Sequence, residues 1–194
     1  IDGNFDDCQN LVKAMFADKE FSTSINMSGV NSINWARIIA QTVYYFYSYF
    51  LLKKEQSINF SVPTGNFGDV YAGYLSKKMG LPINKLVVAT NQNDILHRAI
   101  TEGKYETETV LETISPSMDI QIASNFERLI YDLNNFDDKK TKKVMNEIKK
   151  EGKYIISKDK LKEISKNFLS ASINEEEILD TIKEVYEKYN IILD

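Results

Sequence analysis

The chain has 194 residues and a mass of 22.3 kDa, which is enough for one generous domain or for a domain with a small appendage. Its formal net charge of -4 and its pI near 5.2 disfavour partners that need a basic surface, such as nucleic acid or an acidic membrane. A single cysteine, Cys8, excludes an internal disulfide and predicts a reducing compartment, the cytoplasm.

The first part of the sequence predicts two helices with a polar loop between them. Apolar residues at steps of three and four predict a helix that ends near Lys19, with Asn4 or Asp6 as its cap. Residues 21–30 are rich in Ser, Thr and Asn and indicate a loop. The apolar run at 38–52 is interrupted by polar residues and falls short of the roughly 20 residues that a membrane-spanning helix needs. We predict a helix buried in an α/β core, and no membrane partner.

Residues 58–80 are the most informative stretch. An apolar run at 58–62, the sequence GNFGD at 65–69 and then apolar residues at helical spacing predict a strand, a tight loop and a helix. The first N–H groups of a helix have no internal partner, and the helix dipole favours an anion there. Gly65 and Gly68 are expected to let the backbone turn and expose these groups, with two ordinary turn glycines as the alternative. The spacing is that of neither common nucleotide loop, so the expected anion is the phosphate of another cofactor.

A second short, β-branched run at 85–90 completes a predicted βαβ unit with a parallel sheet. Ligands of such sheets lie beyond the carboxyl ends of the strands, where residues 65–69 and 91–94 both fall. We therefore expect these two loops to approach one site. His97, the only histidine, has no metal-spaced partner, so packing or a surface position explains it more simply than catalysis, and no metal site is predicted.

The last third of the sequence has a different character. Ser124 and Glu127 have the spacing of a capping box, and three further helices with modest apolar faces are predicted after Asp137. Lys and Glu fill the remaining positions, as on solvated helix faces. The expected fold class is α/β, in three parts: a parallel-sheet domain over residues 1–123, a helical lobe over 124–190 and the start of a truncated strand at 191–194.

Five strings follow one another along the chain: FDDCQ (5–9), NSINWAR (31–37), VPTGNFGD (62–69), ATNQND (89–94) and SPSMDIQIASNFERL (115–129). In this order they resemble the threonine synthase family, whose members use pyridoxal 5'-phosphate and have the fold of the tryptophan synthase β type. Together, in order, they are far more specific than any one of them. The later residues resemble the family only in the placement and type of their helices.

The resemblance implies an enzyme that converts O-phospho-L-homoserine and water to L-threonine and phosphate, the last step of threonine biosynthesis, with pyridoxal 5'-phosphate as an electron sink. It also implies that Gly65, Asn66, Phe67, Gly68 and Asp69 bind the cofactor phosphate through backbone N–H groups. The Asp69 carboxylate repels a phosphate, so its side chain is expected to turn away. The Asn66 amide is expected either to reach the anion or to hydrogen-bond the loop to itself.

The substrate carries a phosphate too, and its site is expected near the NSINWAR string. Arg37 supplies a planar fork that suits a phosphate, with a structural ion pair as the alternative. Asn34 stands at a helix start, where capping explains it as well as substrate contact does. We predict that Asn34 and Arg37 both lie near the pocket.

The Schiff-base lysine of the family lies in an SFKD-like string, and no lysine of this sequence has that setting. We therefore expect a central to C-terminal piece of the enzyme that lacks the PLP-lysine segment, holds no catalytic residue and is inactive alone. Two alternatives are a related PLP-dependent phospho-lyase for other amino-acid phosphate esters and a binding module without catalysis, because GxxG loops also clamp nucleic-acid backbones in KH domains. The acidic charge and the strand before the loop disfavour the module. The oligomeric state is left open.

Overall fold

The fold is taken from a computed structural model that describes residues 2–3, 5–29, 34–52 and 56–193. Asn4, residues 31–33 and the side chain of Asp6 lie outside the described residues, so the predicted cap of the first helix is not tested. The helices of the described chain are α1 (Phe5–Ala17), α2 (Lys19–Ser24), α3 (Trp35–Leu51), α4 (Gly68–Lys78), α5 (Ile95–Thr101), α6 (Phe126–Leu133), α7 (Asp138–Glu151), α8 (Lys158–Asn167) and α9 (Glu175–Tyr189). The strands are β1 (Ile58–Pro63), β2 (Ile83–Thr90), β3 (Lys104–Glu106), β4 (Lys153–Ile155) and β5 (Phe168–Ser172).

Three strands form a parallel sheet in the order β1-β2-β5, and β3 and β4 form a short antiparallel ribbon. In the central strand β2, Val88 is paired with Val62 of β1, and Leu86 with Phe168 of β5. These four side chains are at most 4% exposed, so the sheet runs through the core. The predicted strand, loop, helix and strand are confirmed as β1, α4 and β2, and the α/β class is confirmed with them.

Helix α3 covers α4 with one face only. Ile38 and Tyr45 are buried, and the Tyr45 ring lies 4.9 Å from the Phe60 ring of β1, edge to face. On the opposite face Tyr47 and Phe50 are 65% and 67% exposed. The prediction of a helix buried in the core is therefore correct for one stripe of α3 and wrong for the other. None of the helices in the described ranges is long and apolar enough to cross a membrane.

The last third of the chain is not all helical. The three helices predicted after Asp137 are present as α7, α8 and α9, but β4 and β5 lie between them. Phe168 lies within the lobe that was expected to be helical, yet it is the first residue of β5, and it is buried because β5 pairs with the central strand β2. The helical lobe predicted over 124–190 thus lends a strand to the main sheet. Residues 191–193 follow α9 without forming a strand, Asp194 lies outside the described residues, and the division of the chain into parts stays a prediction.

The capping box predicted at Ser124 and Glu127 is not formed, whereas another pair of residues does form one. Asn174 and Glu177 form one at the start of α9, with both reciprocal hydrogen bonds at 2.9 Å. Ser124 does not cap α6, because that helix has Asn125 as its N-cap residue and the Ser124 hydroxyl is hydrogen-bonded elsewhere. That hydroxyl belongs to the site described next.

Candidate functional site

The predicted phosphate loop leaves β1 and enters α4 at the carboxyl edge of the parallel sheet. Thr64 extends the strand pairing by donating its N–H to the carbonyl oxygen of Ala89 at 2.8 Å, and the first bond of the helix runs from Tyr71 N–H to Phe67 O at 3.2 Å. Between these bonds, no acceptor in the described ranges receives a hydrogen bond from the N–H groups of residues 65–69. These groups lie at the positive end of the α4 dipole, so the loop presents the donors of an anion site.

Phe67, and not a glycine, has the left-handed backbone conformation in this loop. Its φ of 63° costs a non-glycine residue roughly 1–2 kcal/mol. Its ring is fully buried, with its centroid 5.3 Å from that of Phe126 and 5.7 Å from that of Phe168. Burial of such a ring contributes about 1.5–3 kcal/mol, which offsets the backbone cost. The prediction that Gly65 and Gly68 provide the turn is therefore wrong in part, since the core holds the turn through Phe67.

Gly65 is required by a close approach instead. A Cβ on Gly65 would lie 2.9 Å from Ile120 Cδ1 and 3.1 Å from the carbonyl oxygen of Ser117. Both atoms belong to the SPSMDI segment at 115–120. This segment therefore packs directly on the phosphate loop, and Gly65 leaves room for it.

A buried carboxylate fixes the SPSMDI segment in place. Asp119 is 7% exposed and accepts hydrogen bonds from Thr113 N–H at 2.8 Å, Thr113 Oγ1 at 2.7 Å, Asn91 Nδ2 at 2.8 Å and Asn93 Nδ2 at 3.0 Å. Four donors on one carboxylate satisfy the desolvation requirement of a buried charge. Residues 91–94, expected to approach the site, thus support the segment that packs on the phosphate loop.

The phosphate loop lines a cavity of about 140 Å³, here called the loop cavity, together with Arg37 and Gln41 of α3. Its lining comprises those two residues and residues 63–70. The structure therefore brings Arg37 next to the five predicted cofactor residues. Asn34 is not part of the lining; its Oδ1 accepts a hydrogen bond from Ala36 N–H at 2.9 Å and caps α3. Contact of Asn34 with a substrate stays a prediction.

The Asn66 side chain was expected either to reach the anion or to form a hydrogen bond within the protein. Its oxygen atom forms a hydrogen bond within the protein. Asn66 Oδ1 accepts a hydrogen bond from Ser124 Oγ at 3.2 Å, and the Asn66 carbonyl oxygen accepts one from Asn125 N–H at 3.0 Å. Ser124 Oγ also lies 2.9 Å from Gln9 Oε1 of α1. Three of the five strings thus meet at Asn66 and hold it in place.

Asp69 is the acidic member of the loop cavity. Burial raises the pKa of its carboxyl group, and the nearby Tyr45 hydroxyl lowers it by less. That hydroxyl donates to the Asp69 carbonyl oxygen at 2.8 Å, and its own pKa is raised by burial first and by the Asp69 charge second. Within the described residues, Asp69 Oδ1 is buried and has no hydrogen-bond partner. Asp69 is thus part of the cavity lining, and burial disfavours the charge of its carboxyl group; that its side chain turns away from a bound anion stays a prediction.

Two contributors to the site were not identified from the sequence. Gln41 stands four residues after Arg37 in a predicted helix, and this spacing predicts that both side chains lie on one face of the helix. Ile120 belongs to a string that contains turn residues, and no local pattern indicates what such a segment packs against. Both omissions concern contacts between elements that are distant in sequence.

A second and larger hollow lies between α4, α6 and α7. This helical groove has a volume of about 1170 Å³, and its apolar lining includes Tyr71, Leu75, Ile122, Met145 and Ile148. Basic residues also line it, among them Lys13, Lys78 and Lys142. None of residues 65–69 belongs to its lining.

Comparisons with known proteins place the chain in a family. No family model matches. The threonine synthase of Pseudomonas aeruginosa is 48% identical over 195 residues, which cover 100% of this chain and 42% of that protein. The threonine synthase of Saccharomyces cerevisiae is 50% identical over 200 residues, which cover 96% of this chain and 39% of that protein. The crystal structure of PLP-bound threonine synthase from Brucella melitensis superposes with a TM-score of 0.91 at 49% identity, covering 100% of this chain and 42% of that one.

The chain spans about two fifths of the length of these relatives. Identity near one half over the whole chain agrees with the TM-score, so sequence and fold give the same assignment. The chain belongs to the threonine synthase family.

Proposed function

We propose that the chain contributes the phosphate-binding part of a threonine synthase, a lyase that converts O-phospho-L-homoserine and water to L-threonine and phosphate with pyridoxal 5'-phosphate. One observation carries the proposal: the N–H groups of residues 65–69 have no acceptor in the described ranges and lie at the N-terminus of α4, beside a cavity that Arg37 also lines. The likeness to a PLP-bound relative supports it.

The residues of the loop cavity fit the phosphate of this cofactor. Backbone N–H groups and a helix dipole bind a phosphate without a lysine, which suits an acidic chain. Phe67 keeps the donors in place because its ring is anchored in the core, and Gly65 admits the segment that packs on them. When bound, pyridoxal 5'-phosphate supplies an electron sink for carbanions. The contribution of this chain is then to hold and orient the phosphate end.

Arg37 and Asn34 are proposed to serve the phosphate of the substrate. Arg37 is exposed and lines the loop cavity, so its guanidinium group is accessible to a second anion at the mouth of the site. Asn34 fixes the start of α3 by its cap, one turn before Arg37. Its proposed role is to position the helix from which Arg37 extends.

Pyridoxamine 5'-phosphate tests the phosphate site without reacting with surface lysines, because it has no aldehyde. We expect the chain to bind it at one site, at least about tenfold more tightly than pyridoxamine, since several charge-assisted hydrogen bonds depend on the phosphate. Isothermal titration calorimetry with both compounds and with inorganic phosphate measures this. Lys142→Gln, in the helical groove, is the control and should leave the affinity unchanged. Equal affinity for the two compounds would contradict the proposal.

We also propose that this chain alone does not form threonine, because none of its lysines lies in an SFKD-like string. Incubated with pyridoxal 5'-phosphate and O-phospho-L-homoserine, it should release phosphate no faster than the cofactor alone does. Borohydride treatment should give scattered adducts on surface lysines. A stoichiometric adduct at one lysine, with phosphate release, would contradict this part of the proposal.

A further inference from the structure

Helix α3 presents a polar side chain to the loop cavity that no role yet explains. Gln41 follows Arg37 by four residues and precedes Tyr45 by four, so the three side chains lie on one face of α3. Tyr45 is tied to the first turn of α4 through its hydrogen bond to the Asp69 carbonyl oxygen at 2.8 Å. Arg37 and Gln41 both line the loop cavity. The N-terminal half of α3 is thus held against the loop, and Gln41 lines the same cavity as the N–H groups that have no acceptor in the described ranges.

The carboxamide of Gln41 is not hydrogen-bonded to any described part of the chain. The residue is half-buried. Other neutral polar side chains of the lining are engaged: Thr64 Oγ1 donates to the Val62 carbonyl oxygen at 2.6 Å, and Asn66 Oδ1 accepts from Ser124. A partly buried amide is retained at low cost only when a ligand or water satisfies it.

We propose that Gln41 is a direct ligand of the anion in the loop cavity, donating from Nε2 to an oxygen of the bound phosphate monoester. The inference rests on the proposed function, because it takes the phosphate group as the occupant. The loop supplies donors from one element and Gln41 from another, so the phosphate is held between α3 and the start of α4. A neutral donor of this kind orients a phosphate oxygen without adding a charge to the site.

Three variants test this role. Gln41→Leu removes the donor and keeps most of the volume, whereas Gln41→Glu keeps the shape and adds a negative charge. Val43→Glu is the matched control, because it adds the same charge to the same helix at a side chain that is 61% exposed and outside the cavity lining. Calorimetric titration with pyridoxamine 5'-phosphate and with inorganic phosphate gives the affinities, and thermal melts with and without phosphate check the fold.

We expect Gln41→Leu to weaken phosphate binding about tenfold, the loss for one hydrogen bond to a charged group, and Gln41→Glu to weaken it further. Val43→Glu should change it by no more than about twofold, because solvent screens an exposed charge. A purely structural role would lower the melting temperature without phosphate and leave the phosphate-induced increase intact, which would overturn the inference. Binding by Gln41→Leu equal to that of the unmodified chain would overturn it too. Failure of the unmodified chain to bind phosphate would instead contradict the proposed function itself.

Discussion

The helical groove and the loop cavity differ in size, but the direction of their polar groups matters more for binding an anion. The helical groove, about 1170 Å³, is lined largely by apolar faces of three helices, and one of its cations, Lys78, is paired with Asp132 at 2.6 Å. The loop cavity is about 140 Å³, yet it has N–H groups without protein acceptors in the described ranges, with Arg37 and Gln41 beside them. A phosphate binds where several hydrogen-bond donors point to one place, and a large cavity volume does not by itself provide such donors.

The comparison also shows how the small site is kept in shape. The groove is bounded by helices whose own hydrogen bonds define them. The loop cavity is bounded by an irregular loop, which depends on a ring in the core, on the SPSMDI segment and on the carboxylate of Asp119. Substitutions at these three supports should affect the loop cavity and leave the groove as an internal control.

The largest effect is expected for Phe67→Ala. It removes a fully buried ring that contacts Phe126 and Phe168, and such substitutions cost about 3–5 kcal/mol. Urea unfolding of the chain measures the loss, and phosphate binding should fall with it. Phe50→Ala, at a side chain that is 67% exposed, should cost no more than about 0.5 kcal/mol. A similar cost for both variants would show that Phe67 does not anchor the loop.

Gly65→Val should come next. Its Cβ would lie 2.9 Å from Ile120 Cδ1 and 3.1 Å from the Ser117 carbonyl oxygen, so either the loop or the SPSMDI segment must move. We expect a loss of about 1–3 kcal/mol in the free energy of unfolding and a loss of phosphate affinity that exceeds tenfold. Titration calorimetry and urea unfolding on the same samples separate the two losses.

Gly80→Ala is the control for that separation. Gly80 has a φ of 105° and no atom within 4 Å of its Cβ position, so alanine there is strained without touching the loop cavity. It should cost roughly 1–2 kcal/mol of stability and leave phosphate affinity unchanged. Loss of binding in both glycine variants would mean that binding reports overall stability alone.

Asp119→Asn should have an intermediate effect. The amide brings two N–H groups toward the donors from Thr113, Asn91 and Asn93, so at least one buried donor loses its acceptor. The expected cost is about 1–3 kcal/mol, with weaker phosphate binding because the SPSMDI segment loosens. Asp180→Asn, on the exposed face of α9, should change neither quantity. Unaltered phosphate binding in Asp119→Asn would show that the segment does not support the loop.

The parts of this site that the sequence predicted are those set by local chemistry. The strand, loop and helix at residues 58–78 follow from an apolar run, turn residues and helical spacing, all within one short stretch. The resemblance to the family then predicted that Arg37 lies near the pocket of residues 65–69, and all of them line the loop cavity. In both cases the information lies in neighbouring residues or in a family pattern.

What the sequence did not predict depends on contacts across the chain. β5 is a strand because it pairs with β2, about 80 positions earlier, and its five residues carry no strong local signal. Phe67 has a left-handed backbone because its ring is buried in the core. The glycine pattern therefore predicted the turn at the wrong residues. Ser124 has capping-box spacing, yet its hydroxyl bonds to Asn66. Where the site is formed, contacts between residues distant in sequence thus override the local sequence rules.

The smallest expected effect concerns Asp69, the feature of the loop cavity that least suits an anion. Burial raises the pKa of this carboxyl group above its ordinary value of 3.8, so the folded chain disfavours the ionised form more than the unfolded chain does. Its contribution to stability is therefore fully present below about pH 3.8 and is lost as the pH rises through the folded pKa. Asp69→Asn keeps the shape without the charge, so it should be slightly more stable than the unmodified chain at neutral pH, with no gain in acid.

Urea unfolding at neutral pH and at an acidic pH below the ordinary carboxyl pKa tests the sign, with Asp180→Asn as an exposed control that should show no gain at either pH. Phosphate binding by Asp69→Asn at neutral pH should be at least as tight as that of the unmodified chain, because a negative charge has left the cavity. The opposing force is the α4 dipole, which favours an ionised carboxylate in the first turn. If Asp69→Asn were less stable at neutral pH, the dipole would outweigh burial, and an ionised carboxylate would be a regular part of the loop cavity.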